Sequence, residues 1–339
     1  MPSSPLPSSV HNNPSTLQAW LALIRWKNLL IILITQLVVW ACVIVPVSKL
    51  WKGVPALLLT PLHFSMLATS TVLIAAAGYI INDYFDIRID LINKPDKMVL
   101  ETHIPRRMAI IMHSVFNVIA LLLAGYVAHQ RSAYEWLLLQ FFCTVLLWFY
   151  STQFKRKFMI GNVVVALLTA LTIATLVAYE PAMHLFIKKP IFEKESSGLL
   201  HLNPLALLSM YAFFAFLLTW MREIVKDMED IKGDAKEGCE TMPIRWGLKK
   251  TAGFTQALGI VALLPLLLSS IALLQTTHYI LGGYVTVTLI VPLVYWLFSL
   301  QKKATTEHYA RCSKQLKWMM VAGIGTLIIN LIAEWIQLF

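Results

Sequence analysis

Nine separate stretches of this chain stay apolar for about the length of a bilayer, and that repetition constrains the fold more than any other feature. They run over approximately residues 28–47, 55–81, 108–128, 134–152, 160–179, 204–221, 252–275, 279–300 and 315–337. A helix needs roughly 20 mostly apolar residues to cross the hydrocarbon. The sequence therefore predicts an all-α, polytopic membrane protein with nine transmembrane helices. Composition agrees: 58% of the residues are hydrophobic and 14% charged, against about 45–50% and 25% in soluble domains. The second stretch includes "HFSMLATSTV" (63–72), polar enough to face other helices rather than lipid. Its His63 reads as a hydrogen-bonded bundle residue, not a ligand.

Basic residues divide unevenly between the two sets of connections. With the N-terminal side taken as inside, the inner connections hold 22 of the 28 Lys and Arg and the outer ones six. The positive-inside bias then puts the N-terminus in the cytoplasm and the C-terminus outside. The net charge of +10 expresses that topology and contact with anionic membrane lipids, not a nucleic-acid footprint. Residues 1–19, rich in Pro, Ser and Asn, are expected to form a disordered tail. They lack the basic start of a secretory signal. Cys42, Cys143, Cys239 and Cys312 show no metal or disulfide spacing and read as small packing residues. The outer loop 180–203, with His184 and His201, shows no metal pattern either.

The acidic residues are the exception to this apolar design. All seven aspartates, Asp83, Asp86, Asp90, Asp96, Asp227, Asp230 and Asp234, lie in two segments, after the second and the sixth apolar stretch. The topology puts both on the cytoplasmic side. Asn82, Asp86 and Asp90 step by four, while Asp83, Asp86 and Asp90 step by three and then four. Asp227, Asp230 and Asp234 repeat that step. Residues three and four apart share a helix face, where like charges destabilise one another. Divalent cations remove the repulsion, and Mg²⁺ characteristically takes one or two carboxylates, some water, and the phosphate oxygens of a substrate. Two such stripes facing each other suit a diphosphate bridged by metal ions.

In these residues the chain resembles the UbiA-type intramembrane prenyltransferases. "NDYFDIRID" (82–90) matches their first motif, NDxxDxxxD, and "DMEDIKGD" (227–234), preceded by Lys226, matches their second, DxxDxxxD. The resemblance runs over about residues 20–337, and it makes 20–339 a single transmembrane prenyltransferase domain. It implies a helical bundle around a central cavity with a cytoplasmic cap, and Mg²⁺ holding the diphosphate of an isoprenoid donor. Carried over by position, Asn82, Asp86 and Asp90 serve one metal ion and Asp230 and Asp234 the other, with Asp83 and Asp227 as further participants. "YSTQFKRKFMIGN" (150–162) is similar to the family's basic element. It brings Lys155 and Arg156 to the diphosphate together with Lys226. Arg25 and Asn28 match another polar position of the family, which the resemblance also assigns to the diphosphate. The many aromatic residues around 141–150 and 210–220 are suited to steadying an allylic cation through their ring faces.

The acceptor is less constrained. "INDYFDIRIDLINKPDK", with Asn93 and Pro95, looks closest to the members that prenylate an isoprenoid glycerol phosphate. Two departures touch the expected acceptor mouth: "DKMVLETHIPRR" (96–107), and Arg222 where many relatives carry Tyr. A lipid-soluble glycerol phosphate is the expected acceptor, with an aromatic quinone precursor or haem as the alternative. A cation or lipid transporter is a further alternative, disfavoured because the centres of the apolar stretches are nearly free of charge. Intact motifs argue against a catalytically dead scaffold.

Overall fold

Ser15 starts the described chain with a capping box. Its hydroxyl accepts from the Gln18 amide, and the Gln18 side chain accepts from the Ser15 amide, so two donors that a helix start would orphan are satisfied. Helix α1 (Thr16–Leu23) thus occupies the last four residues of the stretch expected to be tail. The computed structural model describes residues 15–50, 57–93, 95, 98–130, 134–188, 203–275 and 278–337, and the expected tail over 1–14 lies outside the described residues. Asp96 and His201 also lie outside the described residues. Ala19 and Leu23, one turn apart, bury α1 against Ile80, Ile87, Leu100, Ile104 and Ala109.

Nine helices among the described residues are long and apolar enough to span a membrane. They are α2 (Trp26–Val47), α3 (Pro61–Asn93), α4 (Arg106–His129), α5 (Glu135–Thr152), α6 (Ile160–Tyr179), α7 (Pro204–Lys236), α8 (Leu248–Leu274), α9 (Tyr279–Ser299) and α10 (Thr306–Ile332). Wide π-helical turns interrupt α2 at Trp40–Ile44 and α9 at Thr286–Ile290. No sheet forms among the described residues; a lone bridge pairs Leu100 with Ile104.

The distribution of exposure is that of a protein dissolved in lipid. Phe298, Leu268 and Leu122 are 74%, 70% and 69% exposed, whereas Gln36, Ser70 and Gln140 are buried. Lipid tails give apolar side chains no reason to hide, so packing and interhelical hydrogen bonds join the helices instead. Gln36 shows how: its Nε2 donates to Thr71 Oγ1 at 3.2 Å and to the Thr172 carbonyl at 2.9 Å, tying α2 to α3 and α6. His63 meets its sequence reading, with Nδ1 3.1 Å from the Leu58 carbonyl. His184 lies edge-on to Trp136, and the four cysteines are buried and unpaired. This is an integral, multi-pass membrane protein.

Two helices exceed the rest. At about 1.5 Å per residue, a 33-residue helix is about 50 Å long, against a hydrocarbon core of about 30 Å. Helices α3 and α7 both have 33 residues, so each carries several turns past the lipid. The aspartate motifs are those turns. They are not segments that follow the spans, as the apolar boundaries at 81 and 221 suggested, but the continuous ends of the spanning helices. α7 also joins the two main apolar clusters of the bundle, one shared with α2, α3 and α6 and the other with α8, α9 and α10.

Candidate active site

On α3 the spacing of the first motif works as a local network. Asn82 Nδ2 donates to Asp86 Oδ2 one turn on, at 2.8 Å, and lies 3.4 Å from Asp83 Oδ1. Asp83 in turn receives the Arg25 guanidinium at 2.7 Å. Arg25 sits at the break between α1 and α2 with φ +52°, a backbone region few non-glycine residues occupy. Burial works against its charge, but Asp83, Tyr79 and Asp86 together more than offset that and hold its pKa above the ordinary value. Asp86 is buried and ion-paired with Lys155, whose Nζ also lies 3.5 Å from Asn82 Oδ1.

Lys155 owes its place to a glycine. A Cβ on Gly161 would stand 2.7 Å from Lys155 Cα, closer than atoms can pack. Only glycine lets the short helical turn Phe154–Arg156 fold back against the start of α6. One residue on, Asn162 Nδ2 donates to Asp227 Oδ2 at 2.8 Å, so the same corner steadies a carboxylate on α7.

The ends of α3 and α7 are clamped together by Asn93. Its Nδ2 donates to the Asp230 carbonyl at 3.1 Å, and its Oδ1 accepts from the Gly233 amide at 2.9 Å. A Cβ on Gly233 would lie 2.5 Å from Asn93 Nδ2. The glycine inside "DIKGD" is therefore what allows the two aspartate helices to meet.

The result is one cavity of about 590 Å³, lined by Asp83, Asp86, Asp90, Asp227, Asp230 and Asp234, together with Asn82 and Glu223. Its basic residues are Arg25, Lys155 and Lys226. Seven carboxylates face three cations, a formal excess of four negative charges. A diphosphate cannot enter such a space without added positive charge, and two divalent cations would supply it. Among the described residues, no three His, Cys, Asp or Glu side chains converge as a ready-made metal cage. The donors that line the cavity are carboxylate and amide oxygens, the ligand type that suits a hard cation such as Mg²⁺. At the rim, burial and then the Asp234 charge push the Cys239 thiol up to about 11, which keeps it a neutral wall.

Arg25, Asn82, Tyr150, Glu223 and Lys226 also line an adjoining cavity of about 220 Å³, whose other walls mix apolar residues such as Ile31, Ile32, Ile74 and Leu168 with polar ones that include Arg222 and Lys317. Ile31, Ile32, Thr169, Thr172 and Met320 are shared in turn with a third, almost wholly apolar cavity of about 140 Å³. An acidic head space, a mixed middle that carries basic residues, and an apolar end therefore form one series between the helices.

Nearly all the residues expected from the motifs meet here. Asn28 is displaced from the diphosphate region: it lines the middle cavity and accepts from Lys317 Nζ at 2.6 Å. Arg156 is not brought in. It is exposed, lines none of the three cavities, and contributes its backbone carbonyl to the Glu240 amide, because the turn that aims Lys155 inward aims its neighbour out. Glu223 and Lys317 were not anticipated. Glu223 carried a signal, a lone acid between Arg222 and Lys226 in an apolar helix. Lys317 counted only as a topology charge.

The UbiA prenyltransferase family model matches residues 50–322. The digeranylgeranylglyceryl phosphate synthase of Methanothermobacter thermautotrophicus is 30% identical over 287 residues, 80% of this chain and 89% of that one. That of Thermococcus sibiricus is 26% identical over 278 residues, 81% and 88% of the two chains. Among solved structures, a digeranylgeranylglyceryl phosphate synthase superposes with a TM-score of 0.60 at 24% identity, covering 94% of this chain and 99% of that one. A UbiA homolog from Archaeoglobus fulgidus, bound to GPP and Mg²⁺, gives 0.53 at 13% identity, with 91% and 99% covered. These two structures share the fold. The sequence match spans both aspartate helices and most of the bundle around them, and on it the chain belongs to the UbiA prenyltransferase family.

Proposed function

We propose that this prenyltransferase moves an isoprenyl group from its diphosphate to the hydroxyl of an isoprenoid glycerol phosphate in the membrane, with Mg²⁺ as cofactor. One observation carries the reading: a cavity with four excess negative charges adjoins a mixed one that leads on to an almost wholly apolar one. A metal-bound diphosphate suits the first and a hydrocarbon tail the last. The acceptor class is supported by the wording of "INDYFDIRIDLINKP" and by relatives named digeranylgeranylglyceryl phosphate synthase.

Asn82, Asp86 and Asp90 would hold one metal ion, and Asp230 and Asp234 the other. Asp83 and Asp227, tied to Arg25 and Asn162, position these sets. When bound, Mg²⁺ neutralises the charge that builds on the departing diphosphate. Lys155 and Lys226 bind the same oxygens and act with the metal-independent part of that stabilisation. The C1–O bond breaks with its electron pair going to diphosphate, and the acceptor hydroxyl oxygen bonds C1. The products are an ether, diphosphate and a proton. The apolar channel keeps water from the allylic cation. The 22-to-6 division of basic residues supports a cytoplasmic placement of the aspartate end.

The test uses purified protein in nanodiscs with labelled geranylgeranyl diphosphate and Mg²⁺. Geranylgeranylglyceryl phosphate is offered beside 4-hydroxybenzoate, dihydroxynaphthoate and haem, each with and without EDTA. EDTA-sensitive product with the glycerol phosphate is expected. Product with only an aromatic acceptor or haem would discard the acceptor, and turnover insensitive to EDTA would discard the metal.

A further inference from the structure

The middle cavity has a charge of its own, opposite to that of the metal site. Arg25, Arg222, Lys226 and Lys317 line it against a single lining carboxylate, Glu223; with Arg25 already paired to Asp83, a formal excess of two positive charges remains. Glu223 cannot serve them all. It takes Arg222 Nη1 at 2.6 Å and Lys226 Nζ at 3.0 and 3.1 Å, while Arg222 Nε is buried without a hydrogen-bond partner among the described residues. Lys317 stands about three turns into α10, between the buried Leu316 and Met319. It donates to the neutral Asn28 Oδ1 at 2.6 Å, and its charged neighbours are Arg222 from α7 and Lys27 from α2. Cations gathered inside a membrane bundle without matching acids are expensive and mark a functional site.

We propose that Arg222 and Lys317, with Asn28 holding the Lys317 ammonium, form the subsite for the phosphate of the acceptor lipid. The inference rests on the glycerol phosphate reading and names the residues that make it specific. A phosphate monoester carries about −1.5 to −2 near neutral pH, which suits two excess positive charges better than a carboxylate does. A guanidinium adds a planar fork for two of its oxygens. The donor's diphosphate belongs elsewhere, because Arg222 and Lys317 line the middle cavity and not the acidic one. An acceptor anchored here abuts Arg25, Asn82, Tyr150 and Lys226, which line both spaces. Its hydroxyl thereby meets the reacting end of the donor.

Steady-state kinetics in nanodiscs test the subsite with geranylgeranylglyceryl phosphate and with its dephosphorylated alcohol as acceptors. The variants are Arg222→Gln, Arg222→Lys and Lys317→Gln. Loss of a charged hydrogen bond should raise the KM for the phosphorylated acceptor about tenfold or more. The donor KM should hold, the alcohol should feel little difference between wild type and variant, and Arg222→Lys should recover part of the Arg222→Gln loss. Equal losses on both acceptors, or a shift in donor KM instead, would overturn the subsite while the glycerol phosphate reading stood. Wild-type turnover of aromatic acceptors alone would remove both. Competition by inorganic phosphate as strong as that of the lipid would assign the subsite to free phosphate and overturn the lipid assignment. Lys317→Gln lies on another helix and leaves no acid unpaired, so it decides the matter if Arg222→Gln misfolds.

Discussion

At the residue scale the site is a set of carboxylates held ready by other side chains. Asp86 is oriented by Asn82 and balanced by Lys155; Asp227 is oriented by Asn162. Replacing Asp86 or Asp234 with Ala should lower turnover by roughly a hundredfold or more, the scale of losing one preorganised charge-stabilising group. The bundle should stay folded, as a thermal melt in detergent would check; near-normal turnover in either variant would sink the metal assignment. These residues were legible because three- and four-residue steps on a helix are local geometry. Glu223 and Lys317 were not, because what each faces depends on helices distant in sequence. Arg156 misled for a related reason: adjacent residues in a tight turn point to opposite sides, and only the fold decides which one faces inward.

At the element scale, two 33-residue helices are brought close enough for their acidic ends to share one space. Asn93 and Gly233 make that contact, and Gly161 makes the one that aims Lys155. Gly233→Ala must displace Asn93 or part the helices, with a cost of about 1–3 kcal/mol for such overpacking. It should appear as a lower melting temperature together with a raised donor KM. Gly161→Ala meets backbone rather than a movable side chain. Its effect should fall on turnover more heavily than Lys155→Ala alone, because Asn162 and Asp227 shift with the turn. If Gly161→Ala is as active as wild type, the close approach has no part in placing Lys155. The sequence showed Asn93 only as part of a motif and showed the two glycines as nothing in particular.

At the scale of the whole molecule, the bundle separates charge along one internal path: acidic at the head, basic beyond it, apolar to the end. Chelation should therefore abolish turnover, and added Mg²⁺ should restore it. Mg²⁺ with diphosphate should also raise the melting temperature, since a ligand bound to the folded state alone stabilises it. Ile32 lines the passage between the middle and end cavities. Ile32→Trp should block long tails, reducing turnover of a twenty-carbon donor about tenfold or more while a ten-carbon donor keeps most of its rate. A one-methylene misfit in an apolar pocket already changes discrimination by about 10-fold or more, and Trp intrudes further. An unchanged ratio between the two donors would mean that the tail runs elsewhere.

Local pattern along the chain was enough to read the solvent this protein folds in, the number of crossings, and the two helices that carry its acid. Apolar run length and i, i+3, i+4 spacing are properties of a single segment and need no partner to be read. Helix packing was needed to bring the two stripes into one cavity, to leave Arg156 out, and to put Lys317 and Arg222 in the lining of the same cavity. Each of those depends on how close two helices come. That distance is set by Asn93, Gly161, Gly233 and the packing around them, where the sequence marks the residue but not its neighbour.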